Sequence, residues 1–267
     1  MSLALDLSGR TVVVTGGVRG VGAGISRAFL EAGADVVAVA RREPEALPEA
    51  AGRTARFVSL DVRDPDAVQA FADGLDDVHV LVNNAGGGPF APLAERELRV
   101  HLKILELNLT APLIMARAVY TAMRARGHGG SVVNIGSVSG VRPSPGTAAY
   151  GAAKAGLDSL TRSLAVEWAP HVRVNSITVG MVRTEQAHLH YGDEAGVAAV
   201  ERTVPAGRMA DPFEVGAACV YLASDLAAYV TGSSLLLHGG GERPAFLDAA
   251  TANRPPAGTE PPAKESR

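Results

Sequence analysis

Short apolar runs and stretches of helical period alternate along this chain. TVVVT from Thr11, DVVAV ending at Val39, RFVSLDV, DVHVLVNN, SVVNI from Ser131, VRVNSITV and SSLLLH are rich in β-branched residues and bounded by glycine or polar positions. That is the pattern of buried strands. Between them GISRAFLEAGA, most of Glu95 to Arg126, and AAYGAAKAGLDSLTRSLAVEW carry helical period. A further helix is expected from Asp211-Pro212, which suit an N-cap and the first helical position. Strands alternating with helices predict an α/β fold, a doubly wound and mostly parallel seven-stranded sheet with helices on both faces. The ligand crevice of such a sheet lies at the carboxyl ends of its strands. Gly16, Asn83, Ser137 and Gly180 all fall at predicted strand ends.

The first of those ends opens a glycine-rich turn, Thr15-Gly16-Gly17-Val18-Arg19-Gly20-Val21-Gly22, which leads into the first helix. Strand, turn and helix N-terminus together make an anion site, because outward N–H groups and the helix dipole both favour a diphosphate. The context points to a dinucleotide and a Rossmann-type single domain. The second strand ends without an acid and is followed by Ala40-Arg41-Arg42. An acid there would bind a ribose 2′-hydroxyl, whereas arginine accommodates a 2′-phosphate. NADP(H) is therefore favoured, with NAD(H) the alternative if Arg41 and Arg42 are only solvated loop charges.

The stretch Ser131 to Lys154 holds the candidate chemistry. Ser137 sits where its strand should end, and Tyr150 and Lys154 stand four residues apart at the start of a helix, on one face. A free tyrosine titrates near ~10, and a neighbouring cation is expected to lower that value and fit the phenol for acid/base work. Ser137 could hold the same substrate oxygen. Asn108 lies in the apolar run ILELNLTAPLIM, as a water-binding group near the site or as a local helix distortion. The adjacent Asn83 and Asn84 are expected to pin neighbouring loops.

Composition narrows the remaining choices. At 267 residues, with 47% hydrophobic residues and a net charge of −3, the chain suits one domain and gives no electrostatic case for nucleic acid or anionic membrane. The single cysteine, Cys219, lies in an apolar helical run and reads as a buried structural thiol. No apolar run is long enough to span a bilayer and the N-terminus lacks signal-peptide features, so a cytoplasmic setting is expected. His188 and His190 have no acid or cysteine at matching spacing, so no metal site is expected. Residues 184–208 read as an irregular, polar substrate flap within a catalytic domain spanning 1–247. Residues 248–267 read as a Pro-rich, disordered or surface-draped tail that is dispensable for folding.

The chain resembles the short-chain dehydrogenase/reductase family to about Gly241, on TGGVRGVG, LDV at Asp61, NNAG, NLT at Asn108, Ser137, YGAAK, Thr184 and VPAGRMADPFEVGAACVYLASDLAAYVTG. The resemblance is closest to 3-oxoacyl-thioester reductases and general alcohol dehydrogenases. It implies a catalytic tetrad of Asn108, Ser137, Tyr150 and Lys154, with Tyr150 as acid/base and Asn108 holding a relay water. It further implies cofactor contacts along Gly16, Val18, Arg19, Gly20, Val21 and Gly22, at Arg41, Asp61, Val62, Asn84, Ala85 and Gly86, and at Tyr150, Lys154, Gly180, Val182 and Thr184. A homotetramer or homodimer is also implied. Val179-Gly180 stands where the family has Pro-Gly, and His238-Gly239-Gly240 where it has Asp-Gly-Gly. The resulting expectation is an NADP(H)-dependent oxidoreductase acting on a small-molecule carbonyl or secondary alcohol, with a 3-oxoacyl thioester or similar ketone as the candidate substrate. The alternatives are a non-catalytic dinucleotide sensor or scaffold, and a lyase or epimerase that recycles its cofactor.

Overall fold

The computed structural model describes residues 5–127, 129–242 and 244–250. Seven strands form one parallel sheet: β1 (Thr11–Thr15), β2 (Asp35–Ala40), β3 (Arg56–Ser59), β4 (Val80–Asn83), β5 (Gly130–Ser137), β6 (Val172–Val179) and β7 (Ser234–Leu237). Their order across the sheet is β3-β2-β1-β4-β5-β6-β7, with every neighbouring pair parallel. The order reverses between β1 and β4, and a crevice opens at that switch point. A two-residue hairpin, Glu49–Ala50 against Arg53–Thr54, lies outside the sheet.

Alternation along each strand feeds two cores. Val12 and Val14 face α1 (Gly20–Glu31), where Ile25 and Phe29 are fully buried beside Val215 and Cys219. Val13 faces the opposite layer, built on α2 (Pro65–Asp73), α4 (Ala111–Arg126) and α5 (Ala148–Trp168). There the Tyr120 and Trp168 rings stack with centroids 4.3 Å apart. The helix expected at Asp211 is present as Pro212–Ala223. Asp211 caps it, accepting from Phe213 N–H at 2.7 Å, while Glu214 accepts from Asp211 N–H at 2.7 Å.

Glu95 to Arg126 is helical over most of its length, as expected: α3 (Leu98–Leu105) passes through a π-helical turn, Glu106–Thr110, into α4, and that turn is the local helix distortion offered as one reading of Asn108. Two expectations are corrected. The flap is not irregular, because a short helix (His188–Tyr191) and a longer one (Glu194–Thr203) occupy it. The Asp193 carboxylate caps the longer helix by accepting from Gly196 N–H at 2.9 Å, and Val197 anchors it in the core. Lastly, a helix over Ala245–Ala249 crosses the start of the expected tail, whose remainder, 251–267, lies outside the described residues.

Candidate active site

Each strand end contributes a piece of one crevice. At β1, the fully extended run stops at Thr15 and the chain turns at Gly16, with φ +64°. Thr15 Oγ1 accepts from Asn84 N–H at 2.9 Å and Ala85 N–H at 3.0 Å, and Asn84 Nδ2 donates to Thr15 O at 2.9 Å. The segment after β4 is thereby stitched to the glycine turn. Asn83 Nδ2 donates to Asn134 Oδ1 at 2.9 Å, and Asn134 Nδ2 donates to Thr161 Oγ1 at 2.9 Å. The asparagine pair thus pins its neighbours as expected, through Thr15, Asn134 and Thr161, which sequence reading did not single out.

The turn is built for close approach of backbone to ligand. A Cβ on Gly22 would stand 2.0 Å from Gly16 O and 2.6 Å from Asn84 Nδ2. Neither Arg19 nor an acidic residue in the first turn caps α1. Gly20 N–H instead donates to Glu185 Oε1 at 3.0 Å, and Thr184 lies against Gly20. A carboxylate therefore sits where the anion site was expected, in keeping with the chemistry of an N-terminal N–H group. Glu185 is a further residue that sequence reading missed; its only signal was an acid beside Thr184. Gly22→Ala is expected to cost about 1–3 kcal/mol of stability through overpacking and to weaken NADPH binding at least ~tenfold. Thermal melting and NADPH fluorescence titration check this, and unchanged affinity would remove the turn from the cofactor site.

Other cofactor candidates divide by environment. Arg19 and Arg41 are exposed, and Arg41 lies close enough to Asp61 to stabilise its charge. Asp61 falls two residues past the end of β3. Arg63 binds it in a fork at 2.9 and 2.6 Å and holds its carboxyl down at about 2. Val62 is buried in the α2-side core, Val18 and Val21 pack partly on the other, and Val182 pairs with Ala210 in an isolated bridge.

The candidate catalytic side chains come together at the end of β5. Lys154 is buried, and its Nζ donates to Ile135 O at 2.8 Å and lies 5.6 Å from the centre of the Tyr150 ring. Ser139 N–H donates to Ser137 Oγ at 3.1 Å, leaving the Ser137 hydroxyl hydrogen for Tyr150 or a substrate. Asn108 sits in the π turn, fully buried. Its Nδ2 donates to Gly87 O at 2.8 Å and Ile104 O at 2.9 Å, and its Oδ1 accepts from Gly87 N–H at 2.9 Å. Both amide hydrogens are engaged, so the Asn108 side chain has none left to give a relay water. Gly86 fits between the two: a Cβ there would lie 2.6 Å from Asn108 Oδ1 and 3.3 Å from Lys154 Nζ.

Electrostatics corrects one expectation. Burial pushes the Tyr150 phenol above its ordinary value, and the Ser137 hydroxyl pulls it part of the way back. Burial also lowers the Lys154 ammonium to about 8. Desolvation disfavours the charged form of both groups, and the lysine does not overcome it for the tyrosine. His188 and His190 are exposed, and no group of three or more candidate metal ligands exists among the described residues. Burial pushes the Cys219 thiol well up, consistent with an inert structural cysteine.

A family model described as enoyl-(acyl carrier protein) reductase matches residues 16–242. The 3beta-hydroxysteroid dehydrogenase 1 of Eggerthella lenta is 36% identical over 246 residues, 88% of this chain and 94% of that protein. The chain belongs to the short-chain dehydrogenase/reductase family. The 3-oxoacyl-acyl-carrier-protein reductase FabG of Vibrio harveyi is 34% identical over 249 residues, 88% of this chain and 98% of that protein. Among solved structures, a gluconate 5-dehydrogenase from Burkholderia cenocepacia in complex with NADP and tartrate superposes with a TM-score of 0.81. It is 32% identical and covers 89% of this chain and 96% of its own. This short-chain dehydrogenase/reductase is accordingly an oxidoreductase that acts on an alcohol or carbonyl with a nicotinamide dinucleotide. No helix among its described residues is long and apolar enough to cross a membrane.

Proposed function

We propose that the protein is an NADP(H)-dependent reductase or dehydrogenase of a small ketone or secondary alcohol. The observation that carries this reading is the buried Lys154 beside Tyr150 at the end of β5, with Ser137 directly before the turn. When bound, the nicotinamide supplies or accepts the hydride. The chain's own residues handle the oxygen and its proton. Ser137 donates a hydrogen bond to the carbonyl oxygen and fixes its position. The Tyr150 hydroxyl, kept protonated by burial, gives its proton to that oxygen as it becomes an alcohol. The Lys154 ammonium stabilises the phenolate left behind. Its value of about 8 keeps it mostly charged at neutral pH, and two of its N–H groups remain for the cofactor ribose beyond the bond to Ile135. In the oxidative direction the same protons move in reverse.

The glycine turn, the N-terminus of α1 and Thr184 fit the diphosphate and nicotinamide, and Glu185 must turn aside from Gly20 for the diphosphate to take that N–H. The preference for NADP(H) rests on Ala40 in place of an acid at the end of β2 and on the exposed Arg41 that follows. Arg41→Ala is expected to reduce the NADPH-over-NADH ratio of kcat/KM about tenfold, the low end for a charge-assisted bond to a phosphate partly screened by water. An unchanged ratio, or a wild type that prefers NADH, would remove Arg41 from that role. Leu235 and Leu236 on the edge strand β7 and the fully exposed Tyr229 favour assembly with further copies of the chain. The test of function is NADPH consumption across neutral ketones, keto acids and 3-oxoacyl thioesters. NADPH binding without turnover of any of them would favour the sensor reading.

A further inference from the structure

Arg142 and Glu242 are one hundred positions apart and belong to different loops, yet their side chains are joined by a hydrogen bond. Arg142 follows the turn Val138–Gly140 that begins at Ser137, and its N–H donates to Val138 O at 3.1 Å. Glu242 follows β7, on the segment that starts at His238. That segment is held against the end of β6, where a Cβ on Gly180 would stand 2.8 Å from His238 Cα. Arg142 Nη2 donates to Glu242 Oε1 at 2.5 Å, and Nη1 donates to Pro143 O at 3.1 Å. Arg142 Nε is buried and has no hydrogen-bond partner among the described residues. Both side chains remain about one-third exposed, at 35% and 36%. Beside them Tyr191, from the flap, donates its hydroxyl to Met181 Sδ at 3.2 Å. Arg142 lies on the loop that joins Ser137 to Tyr150, so the ion pair with Glu242 is carried by the segment that links two of the candidate catalytic side chains.

A guanidinium offers five N–H donors in a fixed fork, and its side edge, Nε with a neighbouring Nη, matches the two oxygens of a carboxylate. Here that edge is only half used. Glu242 takes a single Nη bond, and the adjoining Nε–H is buried without an acceptor, which is costly for a charged donor. A neutral substrate leaves that donor unpaired. A substrate carboxylate can take both N–H groups and displace Glu242 to solvent with no net charge added beside Arg142.

We propose that Arg142 is the specificity residue of this enzyme, that it selects substrates bearing a carboxylate, and that Glu242 occupies it until such a substrate arrives. The substrate class is then a hydroxy or oxo acid with its acid group far enough from the reacting carbon to span from Tyr150 to Arg142. This rests on the oxidoreductase reading above.

The test uses matched ligands that differ only in carboxylate against hydroxymethyl: tartrate with threitol, and gluconate with sorbitol. Each is titrated calorimetrically into the full-length protein, with and without NADP+, for wild type, Arg142→Gln and Glu242→Gln. The wild type is expected to bind at least one acid about tenfold or more tightly than its neutral partner, as a charge-assisted pair requires. Arg142→Gln should abolish that ratio, and Glu242→Gln should increase it by removing the competing carboxylate. A gain in Glu242→Gln is not produced by a merely structural ion pair, and it does not depend on how well Arg142→Gln folds. Equal binding of acid and neutral partner, no binding of either acid, or an unchanged ratio in both variants overturns the proposal. Oxidation of the acids and their neutral partners with NADP+ and reduction of neutral ketones with NADPH are measured alongside. Reduction of ketones without acid selectivity overturns the carboxylate assignment alone, whereas acid selectivity without any redox turnover overturns the oxidoreductase reading.

Discussion

Tyr150→Phe is expected to lower kcat/KM by at least about a hundredfold, the low end for lost general acid catalysis, while NADPH binds as it does to wild type. The substitution keeps the ring that lies beside Lys154 Nζ and removes only the hydroxyl. Ser137 would still offer a hydrogen bond to the carbonyl oxygen, so polarisation would survive, but no proton would arrive as that oxygen becomes an alkoxide. Burial holds the phenol above its ordinary value in the free protein, so at neutral pH it is a proton donor already in the correct state for carbonyl reduction. Reduction should therefore be favoured below the phenol's titration, and alcohol oxidation should rise with pH as phenolate becomes accessible. Steady-state kinetics in both directions, with NADPH fluorescence titration of the variant, decide the matter. Turnover within tenfold of wild type would remove Tyr150 as the proton donor, and loss of NADPH binding would assign the hydroxyl to the cofactor instead.

The framework of this site was legible because it rests on strong local signals. The apolar runs at Thr11, Ser131 and Val172 are β-branched and buried on both faces, so they could only be interior parallel strands. Their ends fixed the crevice, and the four-residue spacing of Tyr150 and Lys154 put both on one helix face. What was not legible depends on contacts distant in sequence or on desolvation. The π turn at Asn108 is stabilised from outside its helix, by Gly87. The capped helix at Glu194 has a single fully buried anchor, Val197, too little apolar period to be read from sequence. A lysine next to a tyrosine suggested a lowered phenol, yet both groups are buried, and burial decides the sign for each. Arg142 and Glu242 carry no motif and are related only by the fold. Val179 and His238 depart from the family pattern on neighbouring segments: Val179 pairs with Leu237, the residue before His238, and a Cβ on the following Gly180 would stand 2.8 Å from His238 Cα.

Lys154→Met is expected to abolish most turnover and, at neutral pH, to make the cofactor-free protein no less stable. Its cost to stability is set by burial, which lowers the ammonium from 10.5 to about 8. The unfolded chain therefore binds more protons at this position than the folded one between those two values. Stability from this group rises with pH across that window, is restored in full above 10.5 and is penalised in full below 8. At ~1.36 kcal/mol per pH unit the penalty at pH 7 is on the order of 3 kcal/mol. Methionine fills the same space without the charge. It gives up the bond from Nζ to Ile135 O, a loss of about 1–3 kcal/mol when a buried acceptor is left alone, so the two effects nearly cancel near neutrality. The difference in unfolding free energy, wild type minus variant, should then climb by about 3 kcal/mol from pH 8 to 10.5. Cys219 and Tyr150, whose raised values work in the opposite direction at alkaline pH, are present in both proteins and drop out of that difference. Denaturant unfolding at pH 7, 8, 9 and 10 measures it. A flat difference would mean that Lys154 titrates alike in the folded and unfolded chain. Its burial at the end of β5 would then have no bearing on a proton held ready for Tyr150.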